Sequence, residues 1–333
     1  MRFLIPFPLI FFFLASCSNS EMSNTQQVQK PQKETVAVPI FDADSAYSFV
    51  AKQVSFGPRV PETNAHAKTA TWLAEKLQSY ADSVFVQPFR TRLYDGRGID
   101  GKNIIAAFNS EAKKRIVLAA HWDSRPFADY DLNQSNHKKA IDGANDGASG
   151  VGVLIELARI FKKNPLPKHL GVDIVLFDLE DYGAPAWLEE RQQQDGGWAL
   201  GSTHWSQTPH IRGYQASFGI LLDMVGATNP IFPQEYFSQQ YAAWLSNKVW
   251  QKAHNLGYGN SFPKVLGNPI TDDHLPMNTI AGIPTINIIH LVEESENGSF
   301  FEYWHTMNDS MEHIDRSTLD VVGTLVLHVV YNE

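Results

Sequence analysis

The sequence predicts a single α/β domain, with a central mixed, mostly parallel β-sheet flanked by helices. Short runs of aliphatic residues alternate with segments of helical periodicity, the pattern of strands joined by crossover helices. The 333 residues, 43% of them hydrophobic, are enough for one sizeable core. The first strand candidates are linked too closely for helical crossovers, so an antiparallel edge is expected beside the parallel centre.

The elements follow in order. Asp42 can cap a helix through about Val54, and Asn64 another through about Tyr80, with Ala67, Ala70, Leu73 and Leu77 at helical spacing. Ser83–Phe89, Asn103–Phe108 and Arg115–Ala120 read as short strands. Gly147–Phe161 reads as a helix, and Val172–Leu179 and Phe218–Met224 as buried strands. Tyr236–Asn255 is amphipathic at helical period, Pro284–Ile289 is a strand, and Ser317–Val330 closes the chain as a helix.

The region before the domain reads differently. Residues 1–16 resemble a lipoprotein signal peptide: Arg2 gives a minimal positive start, and Phe3 to Ala15 is almost wholly apolar. That run is shorter than the ~20 residues of a membrane span. It ends in Leu14-Ala15-Ser16-Cys17, which resembles a bacterial lipobox. Residues 17–40 then form a lipidated Cys17 and a polar, flexible tether, and 41–333 the catalytic domain. The other reading is an ordinary cleaved signal with an incidental Cys17. Lipid on Cys17 would anchor the chain to a bacterial cell envelope, periplasm-facing or at the surface, without spanning the membrane. A net charge of -9 speaks against a nucleic-acid partner. Cys17 is the only cysteine, so an intrachain disulfide and a Cys-based zinc site are both excluded.

Any metal must then sit on His, Asp and Glu, and these cluster where buried strands stop. One predicted strand runs into His121-Trp122-Asp123, another into Glu180-Asp181, and a third into Asp223, while Asp142 to Gly147 precedes a helix. Ligands of open α/β sheets bind at the carboxyl ends of strands. A single acid there usually meets solvent or caps a helix, but several desolvated acids in one cleft need a cation. Zinc takes imidazole and carboxylate in a tetrahedral shell, and a catalytic site leaves one position open. Asp146, Asp181 and His305 would supply such a three-ligand set. The remaining histidines, such as His66, His137, His204 and His313, read as hydrogen-bonded structural residues.

The order His121-x-Asp123, Asp146-Gly147, Glu180-Asp181, Leu222-Asp223-Met224-x-Gly226 and Trp304-His305-Thr306 resembles the zinc aminopeptidase superfamily that includes animal-type glutaminyl cyclases. The likeness runs from about Phe56-Gly57-Pro58-Arg59 to the end of the chain. Dinuclear aminopeptidases of this kind would use His121, Asp146, Asp181, Asp223 and His305 as ligands, with Glu180 as base. The cyclases keep these residue types and work with one zinc, which would leave His121 outside the shell. Asp272-Asp273-His274-Leu275-Pro276 resembles the cyclases' Asp-Asp-His-x-Pro segment, and Trp304 and Trp187 fit their site.

The resemblance implies an enzyme that closes the N-terminal glutamine of a peptide or protein to pyroglutamate and releases ammonia. It implies one Zn2+ per chain on Asp146, Asp181 and His305. It makes Glu180 the proton shuttle, Asp272 and Asp223 its acidic partners, and Trp304 and Trp187 the walls around the glutamyl side chain. Glu180 and Asp181 are adjacent at a strand end, so alternation should turn them to opposite sides. A non-catalytic, lipid-anchored binding protein on the same fold is the reading from another class. Loss of a ligand or of the base would mark it, and none is lost. Three positions depart from the animal enzymes: Asp181 stands for Glu, Gly147 for Ser, and the stretch from Ile288 to Phe301 is longer.

Overall fold

The computed structural model describes residues 37–188, 197–292 and 300–333, together with residues 1, 3, 4, 8, 295 and 297. Almost all of the expected leader (1–16), Cys17 and most of the expected tether (17–40) lie outside the described residues. Six strands form one sheet: β1 (Ser83–Arg92), β2 (Gly98–Phe108), β3 (Lys114–His121), β4 (Leu170–Phe177), β5 (Gly219–Asp223) and β6 (Thr285–Ile289). Their spatial order is β1-β2-β4-β3-β5-β6. β1 and β2 pair antiparallel, as do β2 and β4, while β4, β3, β5 and β6 run parallel. The sheet is thus the mixed, mostly parallel one expected, with its antiparallel edge at the first two strands.

Alternation along the central strands sorts their side chains to two faces. Ile116, Leu118 and Ala120 of β3, Ile174 and Leu176 of β4, and Ile220 and Leu222 of β5 enter the larger core. Val117 and Ala119, Val175 and Phe177, and Leu221 enter a smaller one with Trp205 and Met277. The larger core is covered by α1 (Ala43–Val54), α2 (Asn64–Gln78), α3 (Ala148–Lys163), α5 (Tyr236–Asn255) and α7 (Arg316–Tyr331). The smaller is covered by α4 (Leu200–Gln207) and α6 (His274–Thr279). α3 approaches the sheet so closely that a Cβ on Gly150 would stand 2.3 Å from the carbonyl oxygen of Leu222. Only glycine allows that approach.

The helix ends carry the side-chain caps that satisfy free amides. Asp42 accepts from Ser45 N, and Asp315 from Ser317 N and Thr318 N. For α2 the cap is Thr63, which accepts from His66 N, and not Asn64, which forms the first turn. β4 begins two residues before the predicted Val172 and stops at Phe177. It cannot continue to Leu179, because that residue turns left-handed at φ 57°. α4 and α6, of eight and six residues, carry too few turns for periodicity to show.

Candidate active site

Because β4, β3, β5 and β6 are parallel, their carboxyl ends share one edge of the sheet. β3 ends on His121, with Asp123 just beyond, and β5 ends on Asp223. Past β4, the left-handed Leu179 turns the chain so that the amides of Glu180 and Asp181 each donate to the Asp123 carboxylate at 3.2 Å. The two acids are therefore set by this turn and not by strand alternation, which corrects the reasoning from the sequence. Asp146 precedes α3 on a loop whose Asn145 and Asp146 amides donate to Asp309 at 2.7 and 3.1 Å. Arg59, fully buried, gathers the neighbouring backbone: Nε donates to the carbonyl of Trp122, and Nη1 and Nη2 to those of Asp142 and Gly143. His305 arrives on the connection between β6 and α7 with φ 54°, and Met224 follows Asp223 with φ 49°. Non-glycine residues in this region carry strain of order 1–3 kcal/mol, and such strain clusters at functional sites.

Two triads result. Asp146, Asp181 and His305 each bring one ligand atom within 4.8 Å of the others, as do His121, Asp146 and Asp223. Asp146 belongs to both: Oδ1 lies 2.9 Å from His121 Nε2, and Oδ2 lies 3.7 Å from His305 Nε2. His305 Nε2 is 3.1 Å from Asp181 Oδ1, and His121 Nε2 is 3.2 Å from Asp223 Oδ1. Among the described residues, neither of the buried Asp181 carboxylate oxygens has a hydrogen-bond partner. A buried carboxylate without donors is costly unless a cation compensates it. Two carboxylates and an imidazole are a donor set that zinc accepts, so the first triad fits zinc.

Beside the triads lies a group of acids with displaced proton affinity. Burial pushes the Glu180 carboxyl well above its ordinary value; nearby His121 opposes this, and the charges of Asp272, Asp181 and Asp273 reinforce it. Burial, with the charge of Asp272, raises Asp223 to about 8. Asp272 is raised by burial too, and accepts from Asn287 Nδ2 at 2.6 Å. Asp146 goes the other way: burial would raise it, but the hydrogen bond from His121 and the charges of His121 and His305 hold it low. Acids pushed apart in this way can divide the tasks of ligand and proton carrier. Glu180 stands in neither triad, whereas the adjacent Asp181 does.

The aromatic residues separate. Trp304 stacks on the His305 ring at 3.6 Å and on Phe300 at 4.2 Å. Trp187 is 44% exposed, and its ring meets Phe127 and His137. His66, read as structural, bonds the buried Asp178 at 2.9 Å. Sequence reasoning missed Trp198, which lies near-parallel to His305 at 6.0 Å, and the buried Arg125 and Asp129. The only signal for that pair was an Arg and an Asp four residues apart just after the strand end at His121. Asp273 was also missed; burial pushes its carboxyl well up, reinforced by Asp272.

Comparison with known proteins fits this geometry. The family model described as Peptidase family M28 matches residues 103–330. A glutaminyl-peptide cyclotransferase of Boiga dendrophila is 29% identical over 250 residues, covering 67% of this chain and 63% of that protein. The chain thus spans somewhat under two thirds of that relative's length. The crystal structure of a Bacteroides thetaiotaomicron glutaminyl cyclase bound to N-acetylhistamine superposes with a TM-score of 0.86 at 48% identity, covering 89% of this chain and 100% of that one. A Zn-dependent exopeptidase from Parabacteroides distasonis gives 0.86 at 45% identity, again over 89% of this chain and 100% of the other.

Proposed function

The chain belongs to peptidase family M28, and within that family we propose that it is a zinc-dependent glutaminyl-peptide cyclotransferase, converting N-terminal glutamine of peptides or proteins to pyroglutamate with release of ammonia. The observation that carries the reading is the buried Glu180 with Asp272 and Asp273 of the cyclase-like segment beside it, next in the chain to Asp181 of the zinc-compatible triad. The similarity to solved cyclases over nine-tenths of the chain supports it. Kinship with the animal-type enzymes is part of the proposal and rests on the motifs shared with them.

The substrate's α-amine attacks the carbon of its own side-chain amide; the new C–N bond closes the ring and the old one breaks to free ammonia. Because both partners belong to one molecule, the site's main task is to hold the folded conformer. Asp146, Asp181 and His305 would hold the zinc, whose contribution when bound is Lewis-acid polarisation of a carbonyl. Glu180 accepts the proton that the amine loses and returns it to the departing nitrogen. Its raised proton affinity is the direction that brings a carboxyl toward neutral working pH. Asp272 and Asp223 share the proton load, since neighbouring buried carboxylates do not all ionise. Trp304, stacked on His305, offers an apolar wall that keeps water from the amide. Trp187, on the exposed side, is assigned to the outer part of the same substrate.

A second reading is favoured by one observation: the triad of His121, Asp146 and Asp223 completes a five-residue set of the kind that two metals would use. On that reading the chain would be a dinuclear aminopeptidase. The test is ammonia release from peptides beginning with glutamine, run beside hydrolysis of leucyl and arginyl amides. Cyclisation without comparable amide hydrolysis supports the proposal, and peptidase turnover without cyclisation sinks it. A single zinc per chain is part of the proposal, as is anchorage of Cys17 to a bacterial envelope. The lipobox-like Leu14-Ala15-Ser16-Cys17 supports the anchor. Among the described residues no helix is long and apolar enough to cross a membrane.

A further inference from the structure

We propose that Asp129 is a positioning residue for His305: it selects the ring tautomer and sets the plane that turns Nε2 toward Asp146 and Asp181, and Arg125 fixes it in place. The inference rests on the reading of His305 as a zinc ligand. A metal-binding imidazole nitrogen must be free of its proton, so the other nitrogen carries it and needs an acceptor. In His305 the nitrogen turned to the other two ligand candidates is Nε2, 3.1 Å from Asp181 and 3.7 Å from Asp146. Nδ1 is buried and makes no hydrogen bond among the described residues, and Asp129 Oδ1 lies 3.4 Å from it. That is longer than a formed bond.

Asp129 is itself over-determined. Arg125 grips it in a fork, Nε to Oδ1 at 3.2 Å and Nη2 to Oδ2 at 2.6 Å, and the Ala186 amide donates to Oδ2 at 2.9 Å. The same guanidinium reaches the turn that carries Asp181. Nη1 donates to the carbonyls of Asp181 at 3.2 Å and Gly183 at 2.9 Å, and Nη2 to that of Ala184 at 3.2 Å. Trp198 covers it at 4.6 Å. One buried cation thereby registers two of the three ligand candidates against each other. A bidentate guanidinium suits this work, because its planar fork fixes direction as well as charge.

The test compares the full chain with Asp129→Asn, Asp129→Ala and His305→Ala. Zinc affinity is read by chelator competition, ring coordination by the visible spectrum of the cobalt(II) form, and fold integrity by thermal unfolding of the metal-stripped proteins. Zinc Kd should rise by about tenfold in Asp129→Asn and by up to ~100-fold in Asp129→Ala. The cobalt bands should shift, and stripped Asp129→Asn should unfold within a few degrees of the native chain. His305→Ala is the control: if it keeps native zinc affinity, the ligand reading itself fails. If His305→Ala loses zinc while Asp129→Asn binds with native affinity and spectrum, the ligand reading stands and this inference is overturned. A loss of affinity in Asp129→Asn that only follows a matching fall in stripped stability overturns it as well. Should Asp129→Ala fail to fold, the isosteric Asp129→Asn decides alone.

Discussion

His290 follows the last strand, 4% exposed, with its ring 6.1 Å from Phe301 and 6.2 Å from Phe232. Burial is the single cause that lowers its pKa from 6.5 to about 4. The unfolded chain therefore takes up a proton, between those two values, that the folded chain refuses. Stability from this residue is complete above the unfolded value and is lost as pH falls toward the folded one. At ~1.4 kcal/mol per pH unit, that gap is worth about 3 kcal/mol in full, of which about 2 is already lost at pH 5. His290→Phe keeps an aromatic ring among its aromatic neighbours and removes the titration. Urea unfolding of the metal-stripped native and variant proteins at pH 7.5 and pH 5 measures the effect. The many carboxylates titrate in both and cancel in the difference. The variant should gain on the native chain by about 2 kcal/mol between the two pH values. A difference that stays the same at both would refute the claim that burial keeps His290 neutral.

Three further outcomes are expected. Glu180→Gln should keep zinc and substrate binding while turnover falls by roughly two to four orders of magnitude; Asp181→Asn should lose zinc affinity as well, so zinc stoichiometry and rate on the same samples separate the two roles. His305→Ala and Asp146→Ala should lose metal and activity together while His121→Ala keeps its zinc; a second tightly held metal that needs His121 would move the assignment to the aminopeptidase. Cys17→Ala should leave the chain unlipidated, either released from membranes or held as uncleaved precursor, and unaltered lipid labelling would refute the anchor.

Much of the architecture could be read from the sequence, for a physical reason. The central strands are buried on both faces, so they stand out as unbroken apolar runs, and the acids where those runs stop mark the sheet edge at which sites form. His121, Glu180, Asp181 and Asp223 were found that way, and the structure brings them together with Asp146 and His305. What was hidden lacks periodicity or a motif. Two adjacent residues, Thr63 and Asn64, are both competent caps, and only the backbone decides between them. The orientation of Glu180 relative to Asp181 depends on a left-handed turn that no strand rule contains. Arg125 and Asp129 sit on an irregular connection, where an arginine and an aspartate look like surface charges until the fold buries them. The same holds for Trp198, whose role depends on what packs against its face.

The three left-handed residues at the site also limit how its sequence can drift. At Leu179 and Met224 a glycine would relax the backbone, yet both side chains are buried, Leu179 against Phe89, Leu93 and Ile99, and Met224 against Ile270 and Ile289. Emptying the Leu179 pocket would cost on the order of 2–5 kcal/mol, enough to offset the ~1–3 kcal/mol of strain it would relieve. Val, Ile and Thr fail in the opposite way, since branching at Cβ makes this conformation a severe outlier. What survives is a narrow class of large residues with an unbranched Cβ, to which Leu179, Met224 and His305 all belong. Random substitution at these positions should return few folded variants, and those few should resemble one another in shape more than in polarity.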